Sequence, residues 1–148
     1  MVHALEEIHR LLKPAGALID IHPVSEPLTI EIHQTGRKDL VGNLSVRQWC
    51  VDFQKADEAL TEVLRRGVFA VEHDGVFDSL TYYDSAEEMR AALRGSLKRF
   101  ARDAQSIREA VPHVDEMVTR SENLMRATVG NAALIVRERT HIRRLAPA

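Results

Sequence analysis

The sequence predicts an α/β domain with a small mixed β-sheet and four to five helices. Apolar residues recur with helical spacing in several segments, other segments alternate or run continuously apolar as strands do, and glycine or proline stands between many of them. The 148 residues are enough to bury a hydrophobic core. No repeat, low-complexity segment or linker divides the chain, so we expect one domain over residues 1–148.

The chain opens with an amphipathic helix followed by a short apolar strand. Leu5 and Ile8 lie on one face of the helix, and Pro14 and Gly16 end it, because proline cannot continue a helix and glycine tolerates a left-handed turn. Residues 17–22, ALIDIH, carry apolar side chains on both faces. Such a run is typical of a central parallel strand that is covered on both sides.

The remaining helices and strands are recognised by changes in the spacing of apolar residues and by residues that typically cap or end helices. Gly67 closes a long helix, Asp84 or Ser85 caps a later one, and Pro112 separates the last two. The Asp74-Gly75 pair indicates either a tight hairpin or one strand with a bulge. In order, the sequence predicts strands at 28–34 and 38–44, a long helix at 45–66, a β segment at 68–83, helices at 85–95, 96–110 and 114–128, and a last strand at 132–145.

The composition limits which binding partners and which cellular compartment are expected for the protein. The formal net charge of −2 argues against nucleic-acid or acidic-membrane binding, which needs a basic field. No stretch approaches the apolar length of a membrane span, and the N-terminus has no signal-peptide pattern. Cys50 is the only cysteine, so neither an internal disulfide nor a cysteine metal cluster is possible. We therefore expect a cytoplasmic protein.

Two residues near the first strand are the candidate catalytic pair. His22 stands at the C-terminal end of the strand, where α/β sheets present groups that contact ligands, and Glu26 follows closely. Together they could act as a general base on a substrate hydroxyl or amine. The alternative is a strand-end histidine that hydrogen-bonds to backbone. Asp20, inside the apolar strand, is expected to face a partner group or an interface, because an unpaired buried carboxylate is costly.

Other polar residues have simpler interpretations. The seven histidines show no metal-ligand spacing, so no metal site is predicted. Glu31 and His33 are expected on the solvated face of a strand. The last strand carries a basic face that could bind an anion or an acidic partner, although charges on an edge strand more often guard against aggregation. That face consists of Arg137, Arg139, His141 and Arg143, with Arg144 beside it.

The first helix and strand also carry a family resemblance. Residues 3–23, HALEEIHRLLKPAGALIDIHP, follow the pattern ALxEixRvLkPGG at Ala4, Leu5, Glu7, Ile8, Arg10, Leu12, Lys13, Pro14 and Gly16, with Ala15 in place of the first glycine. The run resembles the helix before the fifth strand in class I S-adenosylmethionine-dependent methyltransferases. The resemblance implies a truncated Rossmann-like methyltransferase fold, corresponding to the C-terminal half of the family's seven-stranded sheet.

The resemblance also implies what this sequence lacks. In the family, a Gly-rich loop after the first strand and an acidic residue that ends the second strand hold the cofactor. The glycines here are at positions 16, 36, 42, 67, 75, 95 and 130, and no two of them form G-x-G. We therefore expect no cofactor-binding residues in this chain. S-adenosylmethionine is expected only if a partner chain completes the fold.

Three functions remain open from the sequence. A fold that begins at this helix leaves the strand at 17–22 with an unpaired edge and a bare apolar face. We expect a second copy of the chain, another polypeptide or local strands such as 28–34 to cover them. The first hypothesis is a methyltransferase-like module, non-catalytic alone, that forms a homodimer or joins a separate cofactor-binding half. The second is a subunit or fragment of an active methyltransferase. The third is a small-ligand-binding or scaffold protein on a remnant fold.

Overall fold

The computed structural model describes residues 1–101, 103–128 and 131–148, without the side chain of Gln48. This part of the chain has a mixed α/β fold with four helices and a five-stranded antiparallel sheet. The order of elements is α1 (Val2–Leu11), β1 (Leu18–Pro23), β2 (Leu28–Gln34), β3 (Arg37–Leu44), α2 (Arg47–Arg65), β4 (Phe69–Tyr83), α3 (Ala86–Phe100), α4 (Ala104–Ala127) and β5 (Ala133–Pro147).

The residues group into two compact units. The first unit comprises residues 1–25, 50–78 and 139–148, and the second comprises residues 26–49 and 79–138. The long strands β4 and β5 contribute residues to both units, as does α2. Each unit has its own cluster of buried apolar side chains. The expectation of a single domain stays a prediction.

The first unit is built on the pairing of β1 with β5. This pairing is antiparallel and runs from Leu18 opposite Leu145 to Pro23 opposite Thr140. Helix α2 ends at Arg65, and Gly67, with φ of 68°, follows it in the left-handed conformation that the sequence predicts at this turn. The core of this unit consists of Leu5, Ala59, Leu60, Val63, Phe69 and Leu145.

The prediction that the first strand is a central parallel strand is wrong. Within the described residues β1 pairs with β5 alone, and the pairing is antiparallel. Ile19 and Ile21 are 52% and 57% exposed, so one face of β1 is bare. A short, continuously apolar strand can be buried on both faces or can leave one face exposed. The apolar pattern alone does not distinguish these two environments. In the described part of the chain, β1 therefore has one open edge and one bare apolar face.

The second unit consists of a hairpin, the first half of β5 and two helices. Strand β2 pairs antiparallel with β3 on one side and with β5 on the other. The predicted strands at 28–34 and 38–44 are confirmed, and Gly36, with φ of 75°, lies in the turn between them. Apolar residues of these strands and of α3 and α4 form one core, which includes Ile30, Ile32, Leu44, Met89, Leu97, Val114, Val118 and Leu134.

The helix boundaries after β4 differ from the prediction. Ser85 caps α3 as expected, since its Oγ accepts the Glu88 N–H at 3.1 Å. The helix continues through Gly95 to Phe100, however, because Leu93 and Leu97 keep its apolar face in the core. Helix α4 starts after Asp103, whose carboxylate accepts the Ser106 N–H at 2.7 Å. Its strong cap and buried face outweigh the loss of one helical hydrogen bond at the exposed Pro112.

Residues Phe69–Tyr83 form one continuous strand, so the hairpin alternative at Asp74-Gly75 is wrong. A two-residue hairpin needs positive φ, and Gly75 does not adopt it. A Cβ at Gly75 would lie 3.7 Å from Cγ2 of Ile142 on β5. Gly75 therefore lies within β4, close to a side chain of β5. No helix in the described part of the chain is long and apolar enough to cross a membrane.

Candidate functional site

Polar side chains of β1, α2 and β5 form a cluster inside the first unit. We call it the histidine–aspartate cluster, and it consists of Asp20 and His22 on β1, Asp57 on α2, and His141 and Arg143 on β5. Antiparallel pairing places His22 opposite His141 and Asp20 opposite Arg143. Because opposite residues of an antiparallel pair point to the same face of a sheet, these four side chains share one face.

His22 stands between two carboxylates. Its Nδ1 is 2.9 Å from Oδ2 of Asp20, within hydrogen-bond distance. Its Nε2 is 3.3 Å from Oδ1 of Asp57 but makes no hydrogen bond, although this atom is buried. The side chain of His22 is only 11% exposed. With Asp20 ionised, the Nδ1–H is the donor, so Asp20 fixes the orientation of the ring.

Arg143 supplies the permanent positive charge of the cluster. Its Nη1 donates to Oδ1 of Asp57 at 3.0 Å, its Nε donates to Oδ1 of Asp74 on β4 at 3.2 Å, and its Nη2 lies 3.0 Å from Nδ1 of His141. Burial raises the pKa of the Asp57 carboxyl, but the Arg143 hydrogen bond and the positive charges of His22 and Arg143 together hold this pKa below its ordinary value. Asp57 is therefore ionised at neutral pH.

The structure places the predicted site residues as follows. His22 lies near the C-terminal end of β1, as expected, and Asp20 meets charged groups. Glu26 is exposed and belongs to the second unit, and the carboxylates of Asp20 and Asp57 lie next to His22. The catalytic role of His22 and Glu26 stays a prediction.

Two features of the cluster escaped sequence reasoning. Asp57 lies thirty-five positions from His22 in the chain, and nothing local marks it among the charges of α2. His141 and Arg143 were expected on the basic face of an edge strand, but β5 pairs with β1, β2 and β4, and both side chains are largely buried beside Asp57. The alternation of residues along β5 does indicate that His141 and Arg143 share one face of the strand. It does not indicate their partners, which come from distant segments of the chain.

A smaller polar cluster lies in the second unit. Glu31 accepts from Nη2 of Arg137 at 2.7 Å, and its other oxygen is 2.8 Å from Nε2 of His33. The expectation of a solvated face at Glu31 and His33 is wrong, because both side chains are mostly buried. Burial raises the pKa of Glu31, but the hydrogen bonds of His33 and Arg137 outweigh it and leave this pKa below the usual 4.5.

We expect Glu31 to stabilise the fold above pH 4.5 and to lose this effect as the pH falls further. The sign follows from the lowered pKa, since the folded state favours the carboxylate that acid removes. At neutral pH, Glu31→Gln should lower the free energy of unfolding by about 1–2 kcal/mol. The difference from wild type should shrink below pH 4.5 in urea denaturation. The exposed Glu116→Gln is the control, and a Glu31→Gln loss that is independent of pH would contradict the interpretation.

The edge of β1 that faces away from β5 is the second candidate site. The Val24 N–H donates to the Arg139 carbonyl at 2.8 Å. Because successive residues of a strand direct their backbone groups to opposite sides, those of Ile19 and Ile21 point to the open edge. The described residues supply no strand that pairs with this edge. An edge of this kind, beside exposed apolar side chains, is a template for strand addition.

Comparisons with known proteins give no assignment. No protein-family model matches the chain, and neither the curated proteins nor the solved structures contain a match.

Proposed function

We propose that this chain is a methyltransferase-like module, non-catalytic by itself, that acts as a homodimer joined along the open edge of β1. The observation that carries the proposal is the unpaired edge of β1 beside the exposed Ile19 and Ile21. The proposed module is cytoplasmic, which the single cysteine in the sequence supports.

The methyltransferase-like part of the proposal rests on the sequence pattern of residues 3–23 and on the order of elements around it. Helix α1 precedes β1, as the resemblance implies, and the last strand, β5, is paired antiparallel with β1 and also with β4. An antiparallel sheet is not typical of a Rossmann-like fold, so the proposal depends on the order of the elements and not on strand direction.

The side chains along β1 allow pairing with a second copy without like charges facing each other, which favours a second copy as the partner. In a two-fold antiparallel pair of β1 strands, side chains that face each other must lie on the same face. With the axis at Asp20, two carboxylates would face each other, which is destabilising. With the axis at Ile21, Asp20 of each copy faces His22 of the other, and the two Ile21 side chains meet on the apolar face. The second register avoids the facing carboxylates, places Asp20 opposite His22 and continues an antiparallel sheet.

Light scattering and calorimetric titration with S-adenosylmethionine test the proposal together. We expect a stable dimer that gives no binding heat with S-adenosylmethionine, because the chain has no G-x-G motif for the cofactor. Micromolar binding of S-adenosylmethionine by the chain alone would contradict the non-catalytic assignment. A monodisperse, folded monomer would contradict the homodimer.

The second candidate is a subunit of an active methyltransferase whose cofactor-binding half is a separate polypeptide. The position of His22 near the C-terminal end of β1, where α/β sheets present ligand-contacting groups, favours it. In that enzyme His22 and Glu26 would be the candidate general base, and S-adenosylmethionine would be held by the partner. A chain that aggregates alone and becomes soluble when co-expressed with such a half would favour this candidate over the homodimer.

A further inference from the structure

We propose that His22, Asp57 and His141 form a binding site for one divalent transition-metal ion of the zinc type. The proposal is independent of the dimer. One ring nitrogen of His22, one carboxylate oxygen of Asp57 and one ring nitrogen of His141 all lie within 4.8 Å of one another. They come from β1, α2 and β5, so three separate elements of the first unit deliver one donor atom each.

The distance between His22 and Asp57 fits tetrahedral coordination. Zinc binds imidazole nitrogen and carboxylate oxygen at about 2.0–2.2 Å, so two ligand atoms in a tetrahedral site are roughly 3.3–3.5 Å apart. Nε2 of His22 is 3.3 Å from Oδ1 of Asp57, and Nδ1 of His141 is 3.8 Å from the same oxygen. The ring of His141 must therefore move closer to Asp57 when the ion binds. Three protein ligands leave a fourth position for water or a substrate group, as in catalytic zinc sites.

The hydrogen bonding of His22 is that of a metal ligand. Metal-binding histidines commonly donate their second ring N–H to a carboxylate, which fixes the tautomer and makes the other nitrogen a better ligand. Asp20 takes this position at Nδ1 of His22, at 2.9 Å. When His22 is neutral with its proton on Nδ1, the lone pair of Nε2 points towards the carboxylate of Asp57, and no hydrogen bond satisfies this buried nitrogen. A cation between the two atoms would remove this unfavourable contact.

The guanidinium of Arg143 contacts two of the proposed ligands and therefore competes with the metal ion for them. The guanidinium contacts both Asp57 and His141 at 3.0 Å. Asp74 offers it a second carboxylate at 3.2 Å, and that side chain is more than half exposed. Arg143 can thus keep a charge partner on β4 while it gives up Asp57 to the metal. We infer that the guanidinium neutralises Asp57 in the absence of metal and that the ion displaces it.

The test is titration of the tag-free chain with Zn²⁺ by calorimetry and with Co²⁺ by visible absorption. We expect one ion per chain and the strong d–d bands of tetrahedral Co²⁺. His22→Ala and His141→Ala should each abolish both signals, while His113→Ala, an exposed histidine on α4, should retain them. Asp20→Asn should weaken affinity by about 10–100-fold, as removal of a carboxylate behind a metal-bound histidine does.

Arg143→Gln separates metal binding from structural damage. It should raise the affinity for Zn²⁺, whereas the substitutions at His22, His141 and Asp20 should lower it. Without the competing guanidinium, Zn²⁺ should bind about tenfold more tightly or better, a change of at least 1.4 kcal/mol. Circular dichroism of each variant shows whether the fold is kept. Zinc binding by wild type that survives in the folded His22→Ala and His141→Ala variants would overturn the proposal. Absence of any Zn²⁺ binding by wild type and Arg143→Gln would also overturn it.

Discussion

Replacing Phe69 with alanine is expected to lower the free energy of unfolding by about 3–5 kcal/mol, the usual effect of emptying a buried aromatic site. Phe69 is the first residue of β4 and is 2% exposed. Its ring meets the His9 ring edge-on at 5.3 Å, and its neighbours include Val63 and Leu145. The first unit has a small core. A loss of this size is a large part of the free energy of unfolding of a whole domain, which is typically about 5–15 kcal/mol.

The same strand provides the control for this substitution. Phe77 is also on β4 but is 44% exposed, so Phe77→Ala removes the same atoms without opening a cavity. Urea denaturation followed by circular dichroism should show a large loss for Phe69→Ala and a change below about 1 kcal/mol for Phe77→Ala. Equal losses for the two variants would show that burial of Phe69 does not hold the first unit together.

The second large effect is expected on self-association. Ile21→Lys should weaken the dimer by about 100-fold or more, because like charges brought together at an interface cost several kcal/mol. In the register proposed above, the two substituted side chains face each other at the two-fold axis. The substitution should leave the monomer folded, since Ile21 is 57% exposed. Concentration-dependent light scattering or analytical ultracentrifugation measures the dissociation constant.

Leu40→Lys is the matched control for Ile21→Lys. Leu40 lies on β3 in the second unit and is 61% exposed, so the substitution adds the same charge to another exposed strand. It should leave the dissociation constant near that of wild type. A similar weakening by both variants would point to a general charge effect and against an interface at β1.

Much of the fold followed from local sequence. The alternation of residues 28–34, the cap at Ser85 and the glycine at position 67 each describe a local conformation, and each was confirmed. The errors came where a local rule competed with packing. Gly95 and Pro112 disfavour helix locally, but buried side chains on both sides of each keep α3 and α4 continuous.

The candidate site was less accessible to sequence reasoning. His22 could be selected because its place at a strand end is a local property. Asp57 became its neighbour only because α2 packs on the face shared by β1 and β5, which depends on the antiparallel pairing of those strands. The sequence predicted β1 as a central parallel strand and therefore did not predict its antiparallel pairing with β5. The contact between His22 and His141 could not be anticipated for this reason.

Cross-linking through β1 tests the central claim most directly. In the proposed register, Ile21 faces its own copy, and the roughly 5.5 Å between Cα atoms of a hydrogen-bonded antiparallel pair allows a disulfide. Under mild oxidation, Ile21→Cys should become a covalent dimer on a non-reducing gel. Ile19→Cys should not, and wild type measures the background from Cys50. No cross-link in Ile21→Cys, or an equal one in Ile19→Cys, would contradict the pairing of two copies along β1.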